Sequence, residues 1–104
     1  MAAVTWTSDA LRDLDAITAY IAQASPEFAP EFAHKIVEAA RRLADFPLLG
    51  RRVPGLNIER LRELVFQNYR IIYDPREDGV WIIAVMHSAM DFATMAEQRG
   101  WNLS

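Results

Sequence analysis

The residues best suited to acid–base chemistry gather in the second half of the chain. His87 closes an apolar run from Val80 to Val85, where a strand end can hold a general base. Tyr69, Arg70 and Tyr73 lie on the run before it, and Arg62 on the one before that. A nuclease that activates an RNA 2′-hydroxyl needs a base, an acid and cations for the phosphate. His87, a tyrosine, Arg62 and Arg70 supply those types. The same residues also support a structural reading, in which the tyrosines pack a sheet and Arg70 pairs with a local acid. Glu59 and Glu63 could form a carboxylate pair, but they fall on opposite sides of a strand start and read as solvated charge.

Other chemistries lack their residues. The chain has no cysteine, which excludes a disulfide scaffold, a thiolate metal site and a thiol nucleophile. His34 and His87 are too far apart to form a ligand motif, so no metal is expected. Glycines at 50, 55, 79 and 100 make no phosphate loop, and no cofactor is implied. No serine has the context of a nucleophile elbow. The net charge of −3 argues against a dedicated nucleic-acid binder. Ten of the eleven basic residues are Arg, which suits carboxylate-rich partners and equally reflects an Arg-favouring genome. Nothing resembles a membrane span or a signal peptide, and a reducing cytoplasm is the expected location.

The chain reads as one domain over its 104 residues. Val4–Thr7 has strand character, and Ser8 is the expected N-cap of a helix over 8–24, marked by Leu11, Leu14, Ile17 and Ile21. Ser25-Pro26 restarts the chain into a second helix over 26–46, with Phe28, Phe32, Ile36, Ala40 and Leu43 on one face. Pro47 stops it. Helices joined so tightly fold into an αα-hairpin. Residues 47–60 carry Pro47, Gly50, Pro54 and Gly55 and read as irregular. Strands over 61–66, 69–74 and 80–87 then form an antiparallel meander, and the last is apolar on both faces. Met90, Met95 and Trp101 mark a possible short helix. The expected class is α+β, with the helices packed on the sheet and the second sheet face open, covered by the C-terminal segment or taken by a partner.

Several pieces in order resemble the RelE/ParE toxin superfamily: Val4-Thr5-Trp6-Thr7 with Ala10 and Leu14, Tyr20-Ile21, Ser25-Pro26, Phe46-Pro47, Gly50-Arg51, Arg62-Glu63-Leu64, Tyr69-Arg70-Ile71-Ile72-Tyr73 and Val85-Met86-His87. The likeness spans about residues 4 to 92 and implies the same order of elements. Within the superfamily, RelE-like members are ribosome-dependent mRNA endonucleases and ParE-like members are gyrase poisons without the nuclease residues. Of the nuclease cations only Arg70 stands in place. Leu61 and Glu63 fall where lysines are expected, and Ser88 falls at the last cation. A carboxylate in a phosphate cleft repels its substrate. The segment His87-Ser88-Ala89-Met90-Asp91 matches the ParE-like His-x-x-Arg-Asp pattern, with Met in place of Arg.

The resemblance therefore implies a toxin of a type II toxin–antitoxin pair, ParE-like, which acts on DNA gyrase by binding. It implies neutralisation by a ParD-like antitoxin whose acidic, amphipathic tail wraps the toxin, with two toxins per antitoxin dimer or more. Arg51, Arg52, Arg62 and Arg70 are candidate anchors for antitoxin carboxylates. Phe92, Met95 and Trp101 are candidate target contacts, and they equally suit a cover for the second sheet face. The alternatives are a ribosome-dependent nuclease using Arg70 and His87, and a non-toxic binding member of the family.

Overall fold

In the computed structural model, residues 3–56 and 58–102 are described. Strand β1 (Val4–Trp6) leads into helix α1 (Ser8–Ala24) and helix α2 (Phe28–Arg41), which runs on into one 3-10 turn over 42–44. Strands β2 (Arg51–Arg52), β3 (Arg62–Phe66), β4 (Tyr69–Arg76) and β5 (Gly79–His87) follow, and then helix α3 (Phe92–Gln98). The sheet order is β1-β5-β4-β3-β2. β1 runs parallel to β5 and the other pairs are antiparallel, so the sheet is mixed.

The helix starts differ slightly from expectation. Thr7, not Ser8, caps α1: its Oγ1 accepts from the Ala10 amide at 3.2 Å and donates to the Ile82 carbonyl at 2.8 Å. One hydroxyl thus begins a helix and fastens it to β5. At α2 the Ser25 carbonyl accepts the amides of Phe28 and Ala29, so Pro26 and Glu27 form a lead-in turn and the helix opens at Phe28. Pro30 then sits in the first turn, where its missing N–H costs nothing.

Two cores flank the sheet. The helix hairpin presses Leu14, Phe32, Ile36 and Leu43 onto Ile71, Tyr73, Ile82 and Val85. Ile17 and Ile21 are only partly buried at its margin. On the other face, Phe92, Met95 and Ala96 of α3 and Val53 and Leu61 of the preceding loop cover Ile72, Ala84 and Met86. Over β4 and β5 the second face is therefore covered by the chain's own residues. Strand β5 feeds both cores, as its two-sided apolar character requires. Replacing Phe32 by Ala, at 1% exposure with edge-on ring contacts to Phe66 and Tyr69, is expected to cost roughly 3–5 kcal/mol. Urea unfolding measures it, and a loss below about 1 kcal/mol would contradict this packing.

Residues 47–60 are less irregular than their sequence suggests, because β2 pairs with the start of β3. Gly50 makes that pairing possible. A Cβ there would collide with the Glu63 carbonyl and crowd the Tyr73 ring, so only glycine lets the strand approach. The Gly50 amide donates to the Tyr73 hydroxyl at 2.9 Å and its carbonyl accepts Arg62 Nη1 at 2.7 Å.

Candidate functional site

Successive strand residues point to opposite faces, so register decides which side chains can meet. Arg70 lies opposite Met86, and Tyr69 lies opposite His87. Arg70 reaches Met86 Sδ at 3.6 Å on the α3 side. The His87 ring meets the edge of Tyr69, which in turn packs on Phe32 of the helix hairpin. The two residues of the expected nuclease pair therefore stand on opposite faces of the sheet. That separation corrects the pairing of Arg70 with His87 in one site.

The surroundings of Arg70 correct a second expectation. Glu63 is not solvated: its side chain is 0% exposed. Its Oε1 accepts Arg70 Nη1 at 3.0 Å, and its Oε2 accepts Arg51 Nε at 2.8 Å. Arg70 itself is 13% exposed, and its Nη2 donates to the Met90 carbonyl at 2.8 Å. A buried carboxylate is tolerable only when paired and hydrogen-bonded, and here two guanidiniums pair it. Both Nη groups of Arg70 are thus engaged by the chain's own groups, Nη1 by the Glu63 carboxylate and Nη2 by the Met90 carbonyl. Glu63 is also the hub that ties β2, β3 and β4 together and, through Arg70, pins the turn before α3.

The other candidate anchors divide by exposure. Arg51 is 66% exposed although it contacts Glu63, and Arg52 is 56% exposed beside Glu59. Both can reach a partner. Arg62 commits one Nη to the Gly50 carbonyl, and Arg70 is committed inward, which removes Arg70 from the reachable set. Phe92 and Met95 are buried in the second core and Trp101 is half-buried, so Phe92 and Met95 cannot contact a target unless α3 moves. They cover the sheet, the other role their size allowed.

One stretch of open apolar surface lies at the β5 edge. β1 stops at Trp6, so β5 beyond Ile82 has no strand neighbour on that side. Asp13 of α1 partly answers this by accepting the Val85 amide at 3.0 Å, and it also holds Arg99 beyond α3. Tyr20, Tyr69, Val85, His87 and Met90 line a groove of about 400 Å³ there. Tyr20 and Met90 are exposed. His87 Nδ1 accepts the Ala89 amide at 3.1 Å, which fixes the turn at the groove's end. Sequence reasoning missed Asp13 because its partners are 72 and 86 residues away.

A family model described as the ParE toxin of the type II toxin–antitoxin system parDE matches residues 4–92. The chain belongs to this ParE toxin family. It is 42% identical over 90 residues to a Caulobacter vibrioides protein named Toxin RelE2, spanning 86% of this chain and 98% of that one. Its fold matches a chain of the chromosomal ParDE system from P. aeruginosa, with TM-score 0.73 and 23% identity over 84% of this chain and 96% of the other. It also matches a chain of the toxin–antitoxin complex RelBE2 from Mycobacterium tuberculosis, with TM-score 0.62 and 23% identity over 83% of this chain and 96% of that one. This member of the ParE family is thus a toxin of the type II class with the fold expected of the RelE/ParE superfamily. No described helix is long and apolar enough to cross a membrane.

The α3 region of this ParE-family chain has a pH-sensitive cap. Asp91 accepts the Thr94 amide at 3.2 Å and the Thr94 hydroxyl at 2.7 Å. These bonds, chiefly the hydroxyl, hold its carboxyl below the ordinary value of 3.8. A depressed folded-state value means that the cap stabilises above the ordinary value and is lost as pH falls through the folded one. Protection of the α3 amides, taken relative to the intrinsic exchange rate at each pH, is therefore expected to fall below about pH 4 in the parent chain. In an Asp91→Asn variant the same step should be absent. Identical pH profiles for the two would contradict the cap.

Proposed function

We propose that this ParE-family toxin acts by binding DNA gyrase, performs no catalysis of its own, and is neutralised by a ParD-like antitoxin. The observation that carries the reading is the state of Arg70, the only nuclease cation in the sequence. It is paired with the buried Glu63 and lies across the sheet from His87. A nuclease centre needs cations free to meet developing phosphate charge and a base on the same side. The net charge of −3 adds to this, because docking on ribosomal RNA favours a basic protein.

The antitoxin half of the proposal draws on two further points. Two solved structures that share this fold are of toxin–antitoxin systems. The chain also keeps Phe46, Leu48 and Leu49 exposed in the segment just before the exposed Arg51 and Arg52, a mixture that suits an acidic amphipathic tail. Controlled expression of the chain alone in a bacterium tests the proposal. DNA-damage induction and filamentation, relieved by co-expressed antitoxin, are expected. An immediate halt of translation with cleaved mRNA would instead assign the chain to the nuclease branch.

A further inference from the structure

A second polar cluster lies on the α3 face of the sheet, away from Glu63 and the β5 edge. Asp74 on β4 is buried, with its side chain 4% exposed. Its Oδ2 takes Arg76 Nε at 3.0 Å and Arg60 Nε at 3.4 Å. Its Oδ1 is buried and has no hydrogen-bond partner. Both arginines are more than half exposed, and neither has a partner for its Nη groups among the described residues. Arg76 is further steadied by Trp81, whose ring centre lies 5.4 Å from the guanidinium carbon. Two guanidinium forks are thus held by their Nε atoms at the rim of a pocket of about 450 Å³. Leu61, Ile83 and Trp101 supply its apolar lining.

We propose that this pocket binds a small carboxylate that carries an amide N–H and a compact apolar group, the chemistry of an N-acylated amino acid or of a peptide's last residue. The unused Nη pairs match a carboxylate in a forked arrangement. Arg60 and Arg76 against Asp74 leave a single local positive charge, and the nearby Asp9 is balanced by its own partner Arg12, so the site suits a monoanion better than a phosphate dianion. Asp9 itself is held ionised, chiefly by Arg12. A buried acceptor without a donor is costly, and a ligand N–H beside the carboxylate supplies that donor to Asp74 Oδ1 as the exposed arginines turn toward the ligand. The apolar group lies against Leu61, Ile83 and Trp101. The volume falls within the usual range for small-ligand sites.

Titration of the intact chain with N-acetyl-L-leucine and N-acetyl-L-leucinamide, followed by NMR at the Trp101 indole, tests the proposal. The acid is expected to give a saturable shift, and the amide at least about tenfold weaker binding. Arg60→Gln, which leaves Arg76 on Asp74, should weaken the acid by about tenfold with the fold intact. A blocked tripeptide ending in leucine separates the two sources. Tighter binding than N-acetyl-leucine identifies a peptide end, and equal or weaker binding identifies a free small carboxylate. No saturable shift from the acid by about 10 mM, or equal binding of acid and amide, overturns the proposal.

Discussion

Glu63→Ala is expected to lose at least about 3 kcal/mol of unfolding free energy. The carboxylate is fully buried, and its removal leaves Arg70, itself 13% exposed, with an uncompensated charge. Arg51 matters less, because at 66% exposure it can return to water. The double variant Glu63→Leu with Arg70→Leu should recover much of the loss, since replacing both members of a buried pair by apolar groups is often neutral. Urea unfolding of the single and double variants forms the cycle. A single-variant loss below about 1 kcal/mol would return Glu63 to the solvated role its sequence context suggested.

His87→Ala is expected to leave toxicity in cells nearly unchanged. The ring sits on Tyr69, and its Nδ1 holds the Ala89 amide, both of which are local structural contacts. If His87 were a general base, its removal would lower the rate by about 10²-fold or more and abolish growth inhibition. Growth inhibition at matched expression, together with retained antitoxin binding as a check on folding, separates the two. A folded, antitoxin-binding variant without toxicity would favour catalysis. Deleting α3 is no substitute for this test, because Phe92, Met95 and Ala96 are three of the eight buried residues of the second core and their loss unfolds it.

Much of the fold was legible because its signals are local. Leu14, Ile17 and Ile21, then Phe32, Ile36 and Leu43, repeat at helical spacing, and the structure places them at the hairpin interface. The run Val80–Val85 has no polar face, and β5 is an interior strand packed on both sides. What stayed hidden depends on distant partners. β2 is two residues long and shows no period. The parallel pairing of β1 with β5 joins Val4 to Val80 and leaves no local trace. Glu63 reads as an ordinary charge until Arg51 and Arg70 close on it from 12 and 7 residues away.

The separation of Arg70 from His87 was hidden for a subtler reason. From the Arg76–Gly79 end the hairpin pairs Tyr73 with Ile82, but beyond that point Ile72 pairs with Ala84. Ile83 is the extra residue. Without it, Arg70 would lie opposite Val85 and share a face with His87. One bulged residue changes the parity and sends the two side chains to opposite sides. No residue type at 72–83 announces that bulge, so the sequence alone allowed a catalytic pair that the sheet does not.

The central claim is that this toxin poisons a target by contact and cleaves nothing itself. Gyrase-catalysed supercoiling of relaxed plasmid, measured with rising amounts of the purified chain, tests it most directly. Progressive loss of supercoiling with accumulation of broken plasmid is expected, in the parent chain and in His87→Ala alike, with restoration by the antitoxin. Full supercoiling at saturating toxin, with cleaved mRNA in a parallel translating extract, would contradict it.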